Sequence, residues 1–143
     1  MNLIKILPIT FLILLIGTVI PASAELRVVK SNFCLKIDKP DCSIPADTRQ
    51  ITMSDILTIE NGIKMLYFWT SMAAPEDKTI VHVWKTSDTI IQGARLSISR
   101  SFGFRTYSKI IANPGIYSVE VRDPDSNTLP GGEPKTIIIL PPE

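Results

Sequence analysis

The chain has 143 residues, with 15 lysine and arginine residues against 14 aspartate and glutamate residues, and a single histidine. This near-neutral balance argues against a nucleic-acid-binding protein, which usually carries a basic excess on one face. Hydrophobic residues make up 45% of the sequence, which is too apolar for a disordered chain. Length and composition together predict one globular domain with a core of its own.

The first 24 residues have the three parts of a secretory signal peptide. One cation, Lys5, precedes an apolar stretch over residues 6–20, and the small-residue triplet Ala22-Ser23-Ala24 follows. The uninterrupted apolar run is shorter than the roughly 20 residues of a bilayer-spanning helix, with an uncleaved anchor as the alternative. We therefore expect cleavage after Ala24 and export to the periplasm or the medium. The mature chain, residues 25–143, is then a single domain without a membrane span.

The two cysteines, Cys34 and Cys42, lie close together, and the turn-forming segment Lys39-Pro40-Asp41 stands between them. An exported domain with an even number of cysteines usually pairs them. The spacing does not match the C-x-x-C pattern of redox enzymes, and no further cysteine completes a zinc site. A structural disulfide is therefore predicted, with two free thiols as the alternative.

Strand-like segments separated by Pro, Gly, Asn and Asp recur along the rest of the chain, and no segment has helical periodicity over three turns. Strands are predicted at residues 26–35, 64–71, 79–85, 90–99, 105–111, 116–122 and 135–140. Residues 47–62 fit either a short strand or one helical turn. Short strands at this regular spacing predict an all-β, immunoglobulin-like antiparallel β-sandwich, with a small β-barrel as the alternative.

The single histidine, His82, lies in the predicted strand TIVHVW, on the same face as Ile80 and Trp84. No serine stands in a nucleophile elbow, and no carboxylate is placed by the sequence to orient a base. The carboxylates are scattered among turns, including the acidic turn 123–127, so neither a metal site nor another cofactor is predicted. The preferred role of His82 is a packed or hydrogen-bonded core residue, with ligand contact as the alternative.

The segment FGFRTYSK provides a second candidate, because Arg105 and Tyr107 share one strand face. An arginine beside aromatic rings can stack on a sugar or bind a carboxylate. It can equally pair with a carboxylate across the sheet and fix the strand register. Trp69 and Trp84 also lie in predicted strands, where large aromatic side chains are commonly core residues.

Taken together, these segments resemble the bacterial family described as domain of unknown function 2914. The likeness rests on MLYFWTSM, TIVHVWKTSDTII, FGFRTYSKII, PGIYSVEVRDPDSNTL and TIIIL. The family's His-x-Trp and arginine elements correspond here to His82, Trp84, Arg105, Tyr107 and Ser108. Phe104 and Tyr117 stand where the family commonly has tryptophan, and both keep an aromatic ring. The resemblance implies a compact exported β-sandwich without an assigned activity.

The sequence thus favours a non-enzymatic binding or accessory module of the cell envelope. The candidate ligand-binding residues are Trp69, His82, Trp84, Arg105 and Tyr107. A cell-wall glycan would need aromatic rings exposed on one sheet face, whereas a protein partner would use an unpaired strand edge. The alternatives are a structural component that assembles through its β-edges and, as the weaker hypothesis, an enzyme centred on His82 and Arg105.

Overall fold

The computed structural model describes residues 25–142, which form two β-sheets packed face to face. The predicted signal peptide, residues 1–24, lies outside the described residues. The strands are β1 (Arg27–Asp38), β2 (Asp41–Pro45), β3 (Gln50–Thr52), β4 (Ile59–Glu60), β5 (Ile63–Ala74), β6 (Lys78–Thr86), β7 (Thr89–Ile98), β8 (Ser101–Ile111), β9 (Gly115–Arg122) and β10 (Lys135–Leu140). A turn of 3-10 helix, Met53–Asp55, follows β3.

Sheet A contains β2, β1 and β5 in that order, with β4 and β8 also paired to β5. Sheet B has the order β3-β10-β9-β6-β7. Neighbouring strands are antiparallel except β3 and β10, which run parallel. The two sheets do not close into a barrel, so the predicted antiparallel sandwich is confirmed and the barrel alternative is not adopted.

The core lies between the sheets because the central strands alternate between inward and outward side chains. In β9, Tyr117, Val119 and Val121 are buried and belong to this core, as the alternation predicts. The rings of Phe33 and Phe68 meet edge-to-face with centroids 5.0 Å apart. Such aromatic pairs bury a large area in a small domain and also favour this tilted geometry.

All seven predicted strands are present, with ends that differ by up to a few residues. β2 was not predicted, because this strand has only five residues and most of them are polar. In the ambiguous segment 47–62 the chain forms both of the expected structures, first β3 and then the 3-10 turn. The backbone N–H of Thr52 donates to the Asp55 carboxylate at 2.8 Å and stabilises the start of that turn.

One side of the sandwich is joined across the sheets, and the other is open. On the joined side, the loop between β9 and β10 reaches β1, where the Val28 N–H donates to the Pro130 carbonyl at 2.8 Å. On the open side, β7 and β8 are the outermost strands of sheets B and A, and residues 99–100 connect them. Within residues 25–142, no helix has the length and apolar character that a membrane crossing requires.

Candidate functional site

His82 is fully buried between the sheets and contacts two hydroxyl groups. Its Nδ1 lies 2.7 Å from Ser108 Oγ in β8, and its Nε2 lies 3.1 Å from Thr70 Oγ1 in β5. Ser108 Oγ also accepts a hydrogen bond from the Trp84 indole N–H at 2.8 Å. A neutral imidazole has one donor and one acceptor nitrogen, so two hydroxyls satisfy it in either tautomer. The result is a buried polar network that links β6 of sheet B to β5 and β8 of sheet A.

Burial also determines the charge state of His82. Its pKa is lowered from 6.5 to about 3, because the imidazolium would lose its hydration inside the core. The hydrogen-bond partners of His82 among residues 25–142 are hydroxyls rather than carboxylates. Because His82 and Trp84 are both 0% exposed, a ligand could touch them only if the sandwich opened. The geometry agrees with the core role preferred from the sequence.

Trp69, Arg105 and Tyr107 lie on the opposite face of sheet A, away from the core. Trp69 in β5 stands directly opposite Tyr107 in β8. The ring of Tyr67, two residues before Trp69, lies with its centroid 5.4 Å from that of Tyr107. Together with Cys34 these rings form a separate apolar cluster, which we call the outer cluster (Cys34, Tyr67, Trp69 and Tyr107).

The β1–β2 hairpin covers the outer cluster; a disulfide joins its two strands, and two contacts attach it to β5 and β8. The predicted disulfide between Cys34 and Cys42 is present, with 5.8 Å between the two Cα atoms. The Trp69 indole N–H donates to the Pro40 carbonyl at 2.9 Å, and the Arg105 guanidinium forms an ion pair with the Asp41 carboxylate. Trp69 is therefore only 9% exposed. Arg105 thus attaches the hairpin to the sheet. This contact corresponds to the structural role, pairing with a carboxylate, that was the alternative to ligand binding.

A second ion pair flanks the outer cluster. Lys109 Nζ lies 2.9 and 3.0 Å from the two carboxylate oxygens of Glu60. This hydrogen bonding lowers the pKa of Glu60 and raises the pKa of Lys109. The two cations of β8, Arg105 and Lys109, are thus each paired with a carboxylate of their own chain.

The acidic turn 123–127 stabilises itself through its own backbone. The Asp123 carboxylate accepts hydrogen bonds from the backbone N–H groups of Asp125 and Asn127, both at 2.9 Å. These contacts, chiefly the one from the Asn127 backbone, lower the pKa of Asp123. Within residues 25–142, no cluster of three or more His, Cys, Asp or Glu side chains is arranged to hold a metal ion.

The edges of β7 and β8 form a further candidate surface, which was not predicted from the sequence. Within the described part of the chain, β7 pairs only with β6, and β8 only with β5. The Ala112 N–H donates to the Lys64 carbonyl of β5. By alternation, the even-numbered residues of β8 therefore bond to β5, and the N–H and C=O groups of the odd-numbered residues 103–111 point outward. Large exposed apolar side chains lie on these two strands: Ile90, Ile91, Phe102 and Ile111. We call this surface the open edge.

Only one signal in the sequence could have pointed to the open edge. Ile90 and Ile91 are consecutive apolar residues, so one of them breaks the inward–outward alternation of a half-buried strand. The order of strands within each sheet, which decides that β7 and β8 are edges, cannot be read from local periodicity.

Comparisons with known proteins leave the family open. A scan against protein-family models gives no match to this chain, and a search of curated proteins finds no similar sequence. The resemblance to domain of unknown function 2914 therefore stays a prediction.

Proposed function

We propose that this chain is a non-enzymatic, protein-binding module of the cell envelope that binds its partner by strand addition at the open edge. The observation that supports this most directly is β8, an 11-residue edge strand with outward-facing backbone groups. In strand addition the main-chain hydrogen bonds provide affinity, and neighbouring side chains provide specificity. The disulfide and the predicted signal peptide support an exported protein, which would act in the periplasm or outside the cell.

A glycan-binding surface receives less support than a protein-binding one. Sugar recognition by stacking needs aromatic rings that stand exposed on a sheet face. Here Trp84 is 0% exposed in the core, and the β1–β2 hairpin covers Trp69. Tyr107 is partly buried beside Tyr67.

An enzyme centred on His82 and Arg105 is also less well supported. His82 and its partner Ser108 point into the core, whereas Arg105 lies on the outer face of sheet A. The sheet itself thus separates the candidate base from the candidate anion-binding group. General acid–base chemistry needs such groups to converge on one accessible cleft.

The test is a capture experiment from envelope extract, with the exported chain as bait. Tyr107→Pro removes an outward N–H from the middle of β8, and proline is tolerated at such an edge position. We expect the wild type to retain a protein partner and Tyr107→Pro to lose it. Tyr107→Ala is the matched control, because it removes the same ring from the outer cluster and keeps the backbone N–H at this position.

The outcomes separate the two surfaces of β8. Loss of the partner from Tyr107→Pro but not from Tyr107→Ala supports strand addition. Loss from both variants, with both shown to be folded by circular dichroism, moves binding to the outer face of sheet A. A wild-type chain that stays monomeric and retains no protein partner contradicts the proposed function.

A further inference from the structure

We infer that the partner at the open edge is a second copy of this chain, related by a two-fold axis that pairs β8 with β8 and β7 with β7. This inference rests on the proposed function, since it names the partner of the same surface. It predicts a symmetric dimer in which sheets A and B each continue into the second copy.

The geometry of the two edges favours a second copy of this chain over a single added strand. β7 has 10 residues and β8 has 11, and both lie on the same side of the sandwich. An added peptide strand could cover only one of these edges and would leave the other unpaired. A second copy supplies both strands at once, and a two-fold axis brings each edge antiparallel to its own counterpart.

The backbone of both strands is regular where pairing would occur. Each strand has one register shift, and it lies near the start of the strand: between Ile90 and Gln92 in β7, and between Ser101 and Phe104 in β8. Residues 92–98 and 104–111 therefore present an uninterrupted ladder. The backbone N–H and C=O groups of β8 that point outward belong to odd-numbered residues. In the dimer, odd-numbered residues of one β8 strand must therefore lie opposite odd-numbered residues of the other.

Two of the features that keep natural edge strands apart, proline and a charge that points into the sandwich, are absent from β7 and β8. Monomeric β-proteins commonly protect their edges with proline or with a charge that points into the sandwich. Neither β7 nor β8 contains proline, and the inward positions of both strands carry uncharged residues such as Gln92, Leu96 and Thr106. Arg105 and Lys109 point outward and are already neutralised by Asp41 and Glu60.

The core is also incompletely covered on this side. Leu96 in β7 and Phe104 in β8 pack against the main core but are only partly buried. A second copy would cover the gap between the two edges and remove these apolar groups from water.

The area of the open edge is sufficient for a stable pair. A strand of this length extends over about 35 Å, and two sheets about 10 Å apart present an edge roughly 20 Å thick including side chains. Such an edge offers about 700 Å² for each copy, or about 1,400 Å² in total, which lies within the range of specific protein–protein interfaces.

The experiment is sedimentation equilibrium of the exported chain over a range of concentrations. We expect a monomer–dimer equilibrium for the wild type. Thr106→Lys places a charge at a half-buried, inward position of β8 and should raise the dimer Kd by about tenfold or more. Ser118→Lys is the matched control, since it changes a half-buried polar residue in β9, away from the open edge, and should leave Kd within about twofold.

Tyr107→Pro provides a second variant if Thr106→Lys does not fold, and it should weaken the dimer as well. A wild type that stays monomeric, or a dimer that neither variant weakens, overturns the inference. A monomer that still retains an envelope protein, lost on Tyr107→Pro, would preserve the proposed function and identify the partner as another protein. A monomer that retains nothing contradicts both.

Discussion

At the scale of single residues, His82 couples the stability of the fold to pH. The folded chain holds His82 neutral with a pKa of about 3, whereas the unfolded chain takes up a proton near 6.5. Protonation therefore favours the unfolded state, and stability that is present above pH 6.5 is lost as the pH falls towards 3. We expect the free energy of unfolding, measured by urea titration, to fall by about 2 kcal/mol between pH 7 and pH 5.

The pH window separates this effect from that of the carboxylates. The lowered pKa values of Glu120 and Asp123, whose ordinary values are 4.5 and 3.8, affect stability only at lower pH. In a His82→Gln variant the pH dependence between 7 and 5 should nearly disappear. An equal loss of stability in the wild type and the variant would show that another group is responsible.

Ser108 is the residue on which the buried network depends, because it bonds to both Trp84 and His82. Ser108→Ala leaves two buried polar groups without this partner, so we expect a loss of about 2–4 kcal/mol in the free energy of unfolding. Ser97→Ala, at an exposed position in β7, should change stability by less than about 0.5 kcal/mol. If the two variants unfold at the same urea concentration, the buried network contributes nothing measurable to the free energy of unfolding.

At the scale of elements, the β1–β2 hairpin acts as a cover fastened to sheet A. Replacing both cysteines by alanine opens the loop between Cys34 and Cys42, and we expect a loss of about 2–3 kcal/mol. Trp69 should then become more accessible to acrylamide quenching, since Trp84 stays in the core. Arg105→Ala removes only an exposed ion pair and should cost less than about 1 kcal/mol. Unchanged quenching in the double alanine variant would show that the cover does not need the disulfide.

The strands and the inner face of each strand could be predicted from the sequence, because both follow from local alternation. The positions of Ile80, His82 and Trp84 on one face of β6 are an example. The pairing of Cys34 with Cys42 was also predicted, from compartment and spacing. By contrast, the sequence did not predict which candidate residues lie in the core and which lie on the outer face of sheet A. That division depends on the order of the strands and on β2, which is too short and too polar to be recognised as a strand. The bonding of Ser108 to His82 joins residues 26 positions apart and has no local signature.

At the scale of the whole molecule, the two sides of the sandwich differ in what joins the sheets. On one side the loop between β9 and β10 bonds to both sheets, through Val28 to Pro130 and through Val121 to Gly132. On the other side, at the open edge, no further strand from residues 25–142 pairs with β7 or β8. These hydrogen bonds fix the two sheets to each other on the joined side, and the opposite side stays available for a partner.

The close approach of this loop to β1 requires glycine at position 131. A Cβ there would lie 2.3 Å from the Val28 carbonyl oxygen, and its backbone has φ +78°. Gly62 has the same φ, but a Cβ there would meet nothing within 4 Å. Gly62→Ala should therefore cost about 1 kcal/mol from backbone strain alone. Gly131→Ala should cost about 2–4 kcal/mol more in urea unfolding, because the loop must move away from β1. Equal losses in the two variants would mean that the loop does not hold the two sheets together.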